Sequence, residues 1–256
     1  MLDESALPIH GRLNCSRCFK HGESFQQIGQ WQMRRDPGAW GSARPKYLVL
    51  GFSKGATQAD IYANGDFDDV AFGGERTRRN LTSILRKVGL LKPDETVHEK
   101  IRATEKDFHF ASLVRCSLSR YDAEASEKRG RSVYVTSGRL IAKAFSEVGH
   151  VIDECADAFL TRLPDSLKAV LVLGVTDSYI KSVREKMCDL YPSNFRIINA
   201  VAYENDRLLW IHLTHPSMGN GTLNRWLTGG IDDASGRKRE LAYQTLHARR
   251  LCRAEF

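Results

Sequence analysis

The sequence lacks any apolar run long enough to cross a membrane. The longest one, at residues 169–175, is interrupted by a glycine and falls far short of the roughly 20 apolar residues that a spanning helix needs. The N-terminal segment also lacks the basic stretch followed by an apolar stretch that marks a secretory signal. These absences predict a cytoplasmic protein with no membrane partner.

Internal repeats and low-complexity segments are absent too, and no linker divides the 256 residues. We therefore expect one domain over residues 1–256, and a monomer. The chain has six cysteines. Because structural disulfides are rare in cytosolic proteins, metal binding or redox chemistry explains these cysteines better.

The balance of charge is the first positive signal. A formal net charge of +7 and a pI of about 9.1 favour a polyanionic partner through counterion release. Many basic proteins bind no nucleic acid, so this charge supports such a partner only together with a motif.

Short buried strands alternate with amphipathic helices along the chain. This alternation predicts an α/β fold, a three-layer sandwich whose mostly parallel central sheet is flanked by helices. The expected strands are 46–51, 108–116, 167–174, 195–203 and 207–213. The expected helices are 78–88, 138–163 with a break near Gly149, 177–190 and a basic C-terminal helix from 236. Residues 117–133 are polar and charged and predict a loop.

Two turns at the ends of predicted strands hold unusual residues. GFSKG follows Leu50, and THPSMGNGT follows Leu213. Ligands of open α/β sheets bind beyond the carboxyl ends of the strands. Both turns should therefore lie on one rim, and that rim is the candidate site.

Four cysteines are candidate metal ligands. Cys15 and Cys18 form a C-x₂-C pair, a spacing that lets both sulfurs approach one metal from a tight turn. Cys116 ends a predicted strand and Cys155 lies in a predicted helix, and these two would complete a set of four thiolates. Two alternatives stay open, buried free thiols and a zinc site made of the same four cysteines.

Several blocks match one protein family in the order that the family uses. They are CSRC from residue 15, YLVLGFSKG from 47, VAFGGERTRRNLTSILRKVGL from 70, SLVRC from 112, CADAFL from 155, LKAVLVLG from 167 and LTHPSMGNGTLNRWL from 213. On these blocks the chain resembles the iron–sulfur branch of the uracil-DNA glycosylase superfamily, and it is most similar to family 5, or type b.

The resemblance implies the fold of that superfamily and a structural [4Fe–4S] cluster held by Cys15, Cys18, Cys116 and Cys155. The 38 residues between Cys116 and Cys155 exceed the spacing that is usual in the family. The surplus indicates an insertion at about residues 120–145.

The resemblance also implies a DNA glycosylase, which hydrolyses the N-glycosidic bond of a flipped-out base and leaves an abasic site. His215 would donate to, or stabilise, the anionic leaving base. Ser217 would hold phosphates with nearby backbone N–H groups, and Met218 or Leu223 would wedge into the vacated stack. Phe72 would stack on the base. Without the resemblance, a loop histidine with a structural hydrogen bond would be the simpler interpretation of His215. For Phe72, plain core packing is the open alternative.

The acid that activates water is not at its common place. Several branches carry an acidic residue inside the first turn, where this sequence has Phe52 and Ser53. Type b members lack that acid as well, and the acid of their aromatic-Gly-acid block matches Glu75. We expect Glu75 to be the general base, with Asp60 in reserve. A helix N-terminal carboxylate that complements the helix dipole is the alternative for Glu75.

The expected base contacts are Phe52, Ser53, Phe72 and Ser112. Uracil-specific branches have an asparagine where this chain has Ser112, and a hydroxyl cannot give a bidentate readout. We therefore expect relaxed specificity for uracil, deaminated purines or a bulky modified pyrimidine. Superfamily members also attack modified phage DNA, a role that the changed turn and the insertion would suit.

Further contacts to DNA are expected along the two turns and at the predicted helix start. They are Lys54, Arg78, Arg79, Asn220 and Arg225, beside Ser217 and Met218. Two other functions compete with a glycosylase. One is a DNA-binding protein that kept the fold and cluster but lost catalysis, and the other is a zinc-bound nucleotide-binding α/β protein unrelated to repair.

Overall fold

The computed structural model describes residues 6–20, 22–136, 138–205 and 208–253. It confirms an α/β fold in which helices flank a large mixed sheet. Among these residues, no helix combines the length and the apolar character that crossing a bilayer requires.

Within the described residues, the strands are β1 (Gly11–Arg12), β2 (Phe25–Ile28), β3 (Trp31–Arg34), β4 (Gly38–Gly41), β5 (Tyr47–Gly51), β6 (Phe108–Ser112), β7 (Ser117–Tyr121), β8 (Tyr134–Val135), β9 (Ala169–Leu173), β10 (Arg196–Asn199), β11 (Ala202–Asn205) and β12 (Leu208–Leu213). The helices are α1 (Ala56–Asn64), α2 (Glu75–Lys87), α3 (Val97–Lys100), α4 (Ala123–Arg129), α5 (Ala144–Glu147), α6 (Gly149–Phe159), α7 (Asp177–Leu190), α8 (Leu223–Thr228) and α9 (Ala234–Ala248). Short 3₁₀ helices lie at Phe67–Asp69 and Gly138–Lys143.

The large sheet has the strand order β1-β4-β6-β5-β9-β12-β11-β10. The four central strands β6, β5, β9 and β12 are parallel, and antiparallel strands extend the sheet at both ends. The predicted parallel sheet is confirmed for the centre. At one edge, the expected strands 195–203 and 207–213 supply the antiparallel hairpins of β10, β11 and β12. At the other edge, the N-terminal segment adds the short strands β1 and β4, which the apolar pattern did not reveal.

Both faces of the central strands are buried because successive side chains point to opposite faces. On β5, Leu48 and Leu50 join the core under α6 and α7, whereas Tyr47 and Val49 join the core under α2, α8 and α9. A strand buried on both faces has a continuous apolar sequence, which is why this strand was predictable.

A second sheet of the order β2-β3-β7-β8 is antiparallel throughout. Its Trp31, Met33 and Leu118 belong to the core that also contains α6. The predicted loop over 117–133 is therefore wrong, because it contains β7 and α4. β7 has little apolar sequence of its own and forms by pairing with the β2–β3 hairpin, which is remote in the chain. Residue 137 of the expected insertion lies outside the described residues.

The strand predicted over 195–203 is divided into β10 and β11. The Asn199 side chain accepts a hydrogen bond from the Val201 N–H at 2.9 Å and so closes the turn between them. Residues 206 and 207, at the start of the next predicted strand, lie outside the described residues.

Two histidines are fully buried in the central sheet. Burial lowers the pKa of His109 on β6 to about 3 and that of His212 on β12 to about 4. Each ring is therefore neutral in the folded protein. Its Nδ1–H donates to a backbone oxygen, that of Ser42 at 2.8 Å for His109 and that of Gly174 at 2.9 Å for His212.

These histidines predict loss of stability in mild acid. An unfolded histidine titrates near 6.5, so between that value and about 4 the unfolded chain binds more protons than the folded one. The free energy of unfolding should decrease as the pH falls through this window. Chemical denaturation from pH 7 to 4.5 should show a shallower pH dependence in His212→Gln than in the wild type. Exposed His150→Gln is the matched control, and an unchanged slope in His212→Gln would contradict the assignment.

Candidate functional site

The ends of two central strands and the loop after a third line one cavity of about 330 Å³. Gly51 ends β5 and Ser112 ends β6, and the two are register partners. His215 and Ser217 line the same cavity from the loop after β12. The predicted meeting of the GFSKG turn and the His-Pro-Ser loop is therefore confirmed.

Phe72 lies in this cavity against the end of β5. A Cβ placed on Gly51 would stand 3.5 Å from the Phe72 ring, so glycine lets the aromatic ring approach the strand. Phe72 has a φ of 50°, a left-handed conformation that is uncommon for a bulky residue. Such strain persists only where the surroundings impose it, and it is typical of functional sites.

His215 is a neutral hydrogen-bond donor at physiological pH. Burial lowers its pKa to about 4. Its Nδ1 accepts a hydrogen bond from the Ser217 N–H at 3.2 Å, so the ring proton must reside on Nε2. The loop itself is tied to α2, because the Asn80 side chain donates to the Pro216 oxygen at 2.9 Å.

Asn220 holds this loop from inside. Its Nδ2 donates to Thr214 Oγ1 at 2.9 Å and to the His215 oxygen at 2.7 Å, and its Oδ1 accepts from the N–H and the hydroxyl of Thr222. The prediction that Asn220 contacts DNA is wrong, since the donors and the acceptor of its amide are already engaged.

The other residues of the loop differ in their exposure. Ser217 lines the cavity, and Met218 projects from the loop with 57% of its surface exposed. Leu223 is partly buried against the core, so Met218 is the more exposed of the two predicted wedges. Arg225 is 63% exposed, with Asp233 at 3.8 Å, and stays a predicted DNA contact.

The first turn contributes less to the cavity than expected. Phe52 is buried in the core, with its ring centroid 6.5 Å from Phe145 and 6.3 Å from Tyr179. Its predicted contact with a base is wrong, because the alternation of side chains carries it to the opposite side of the turn. Ser53 lines the cavity, but its hydroxyl donates to the Leu118 oxygen at 2.9 Å.

Lys54 forms an internal ion pair. Its side chain is 2% exposed, and Nζ lies 3.4 Å from Asp36 Oδ1 and donates to the Arg115 oxygen. Asp36 also accepts from the backbone N–H of Ser117 at 2.6 Å and from its hydroxyl at 2.5 Å. The prediction that Lys54 contacts DNA is wrong, because no phosphate can reach this ammonium group.

Neither expected carboxylate lines the cavity. Glu75 begins α2, is exposed and lines a neighbouring cavity of about 580 Å³ that does not include His215. Asp60 lies on α1, is exposed and pairs with Arg34 at 3.3 Å. In the part of the chain that the structure describes, no Asp or Glu lines the cavity that contains His215. Glu75 and Asp60 therefore stay predicted catalytic residues, and the structure places neither of them in that cavity.

The two arginines expected to contact DNA from α2 also differ. Arg78 is buried and donates to the Ala71 oxygen at 3.1 Å and to Asp69 Oδ1 at 3.2 Å, so its predicted DNA contact is wrong. Arg79 is exposed and lines the neighbouring cavity. It stays a predicted DNA contact.

Some residues that line the cavity belong to the expected insertion and could not be identified from the sequence. Tyr134 and Thr136 line it, and Thr136 Oγ1 would lie 3.1 Å from a Cβ placed on Gly55. Gln58 lines it too, with its amide bonded to the backbone of Gly55 and Val70. No sequence motif marks these residues. Tyr134 and Thr136 reach the cavity only because β8 pairs with β7.

The four cysteines predicted as ligands lie together. Cys18 donates a hydrogen bond to the Cys155 sulfur and interacts electrostatically with Cys15 and Cys116. The hydrogen bond from Cys18 lowers the pKa of Cys155 to about 7, and burial raises the pKa of Cys116 to about 12. The backbone N–H of Asp36 also points to the Cys116 sulfur.

Within the described residues, no three His, Cys, Asp or Glu side chains converge closely enough to ligate one metal ion. A zinc ion with four thiolates needs its sulfurs only about 3.8 Å apart, since Zn–S bonds are about 2.3 Å long. In a four-iron cluster each cysteine binds a separate iron, so the ligand sulfurs stand further apart.

A buried cation lies next to these cysteines. Arg115 interacts electrostatically with Cys155 and Cys15. Among the described residues its Nη1 and Nη2 find no hydrogen-bond partner. An unpartnered buried guanidinium fits a site that takes an anionic group.

Removal of the Lys54 ammonium group should destabilise the protein. Lys54→Ala leaves Asp36 buried without its cation, and breaking a buried pair in this way costs about 3–5 kcal/mol. Urea denaturation should show this loss. Lys128→Ala is the control, because the Lys128 side chain is 72% exposed beside Glu124 and should change nothing measurable. If Lys54→Ala were as stable as Lys128→Ala but bound DNA more weakly, this result would support the predicted contact between Lys54 and DNA.

Comparison with known proteins adds no relative to this picture. No family model matches the chain, and no curated protein matches it.

Proposed function

We propose that the chain is a monofunctional DNA glycosylase of the uracil-DNA glycosylase superfamily, with a structural [4Fe–4S] cluster at Cys15, Cys18, Cys116 and Cys155. One observation carries this proposal. The GFSKG turn and the His-Pro-Ser loop line one cavity. Phe72 lines it from the segment before α2, and His215 of the loop is a neutral hydrogen-bond donor.

The cavity supplies what an extruded base needs. Phe72 offers an aromatic face for stacking, and the Nε2–H of His215 offers a hydrogen bond to the leaving base. As the N-glycosidic bond breaks, negative charge develops on the base, and a positioned donor stabilises that charge. Water adds to the sugar carbon, and an abasic site remains.

Water would be positioned rather than deprotonated by a carboxylate. Among the described residues, the cavity offers the hydroxyls of Thr57, Thr77 and Ser112. Stabilisation of the leaving base, rather than a strong general base, then supplies most of the rate.

The surface around the cavity suits DNA. The net charge of +7 favours a polyanion. Exposed Arg79 and Arg225 would contact phosphates together with Ser217, and the projecting Met218 is placed to fill the gap left by the extruded base.

Relaxed specificity follows from the same lining. Ser112 gives one short hydroxyl where an amide would read uracil on two atoms. The substrates would be uracil, deaminated bases or a bulky modified pyrimidine, and modified phage DNA is one source of the last class.

The cavity without a carboxylate supports a second candidate, a DNA-binding protein of the same fold that lacks catalysis. A screen over duplexes that contain uracil, hypoxanthine, xanthine and hypermodified cytosines separates the two. Excision of any of these bases establishes the glycosylase. DNA binding without excision on the whole panel favours the second candidate.

Loss of the His215 donor should sharply reduce excision. His215→Ala removes one positioned donor to a developing anion, which commonly costs about 10²–10³ in rate. Single-turnover rates on the best substrate of the panel measure this loss. Exposed His247→Ala is the control, and equal rates in the two variants would refute the role of His215.

Glu75→Gln should excise bases at nearly the wild-type rate, because its carboxylate lines a different cavity. Single-turnover rates with saturating enzyme test this expectation. A loss as large as that of His215→Ala would show that Glu75 reaches the water in the DNA complex.

Tyr134 should limit the size of the base. Tyr134→Ala enlarges the cavity, so the ratio of kcat/KM for a bulky base to that for uracil should rise by about tenfold or more. Tyr134→Phe keeps the ring and should leave this ratio near the wild-type value. An unchanged ratio in both variants would remove Tyr134 from the specificity site.

A further inference from the structure

Arg115 is a buried cation without a counter-ion among the described residues. Its side chain lies in the fully buried interior, and Nη1 and Nη2 have no hydrogen-bond partner there. An uncompensated buried charge strongly destabilises a fold, so some group must offset it.

The surroundings of Arg115 show where that group belongs. One face of the guanidinium lies over the Phe159 ring, 4.8 Å from its centroid. The Arg115 backbone N–H points to the Cys155 sulfur, and the guanidinium interacts electrostatically with Cys155 and Cys15. Within the part of the chain that the structure describes, the cysteine sulfurs are the groups of opposite charge that reach it.

A second buried cation nearby is already neutralised. Lys54 interacts with Cys116, but its ammonium group pairs with Asp36 at 3.4 Å. Arg115 therefore carries the surplus positive charge at the cysteine group. Lys54 donates to the Arg115 carbonyl oxygen, which fixes the backbone of Arg115 in place.

We propose that Arg115 is the counter-ion of the cluster and raises its reduction potential. This inference rests on the proposed [4Fe–4S] cluster at the four cysteines. A four-iron cluster with four thiolate ligands is anionic, and reduction makes it more so. A buried cation with two free N–H-bearing nitrogens stabilises the reduced state more than the oxidised state, because net charge and hydrogen bonds to sulfur set the potential of such clusters. Arg115 is a positioning residue and touches no substrate.

The test measures the reduction potential of the purified holoprotein. Iron and sulfide analysis of the wild type comes first. If the wild type contains no iron, the proposed cluster is wrong, which is a different result from a cluster whose potential does not depend on Arg115. Dye-mediated titration followed by electron paramagnetic resonance then gives the potential. Arg115→Gln should shift the redox equilibrium by at least tenfold toward the oxidised state, which is about 59 mV for one electron.

Arg17→Gln is the matched control. Arg17 lies between Cys15 and Cys18, but its side chain is 56% exposed, with Glu154 at 4.0 Å. Solvent screens such a charge, so the potential should stay at the wild-type value. A wild-type potential in Arg115→Gln, or equal shifts in the two variants, overturns the proposal.

Arg115→Lys covers the case in which Arg115→Gln loses its iron. The lysine variant keeps the charge and should retain the cluster, with a potential closer to the wild type than that of Arg115→Gln. If Arg115→Lys and Arg115→Gln lose iron equally while Arg17→Gln retains it, Arg115 acts by packing and the proposal fails.

Discussion

The register of the four central parallel strands is the constraint on which the site depends. Because β5 and β6 pair with Gly51 opposite Ser112, the residues that follow both strands emerge at one edge. The loop after β12 emerges at the same edge, since β12 pairs in parallel with β9. A shift of one residue in any strand would turn its apolar side chains from one core to the other. The two cores therefore fix the position of the cavity.

Hydrogen bonds between buried polar groups connect the lining of this cavity to the segment that carries Cys116. The GFSKG turn is bonded at two successive residues to the segment around Cys116, through the Ser53 hydroxyl to the Leu118 oxygen and through the Lys54 ammonium group to the Arg115 oxygen. Any group that orders the four cysteines would thus order the turn on which the cavity is built. If the four cysteines hold the proposed cluster, this connection gives it a direct physical effect on the site without a part in the chemistry.

The central strands and the meeting of the two turns could be predicted from the sequence because they depend on local patterns. The apolar run before Gly51 predicts a buried strand, and parallel strands bring their carboxyl ends to one edge. Contacts between remote segments could not be predicted. The strand β7 forms only by pairing with β3, and Tyr134 reaches the cavity only through that sheet. Local sequence also gave no sign that Phe52 and Lys54 turn inward, since the direction of a side chain in a turn depends on what packs beneath it.

The central claim is that the cavity between the two turns receives an extruded nucleobase. The most direct measurement is the crystal structure of the complex with duplex DNA that carries a 2′-fluorinated deoxyuridine, which resists cleavage. The account predicts the base inside the cavity, stacked on Phe72 and within hydrogen-bond distance of His215 Nε2. A base that remains in the duplex, or DNA bound on another face of the sheet, would contradict it.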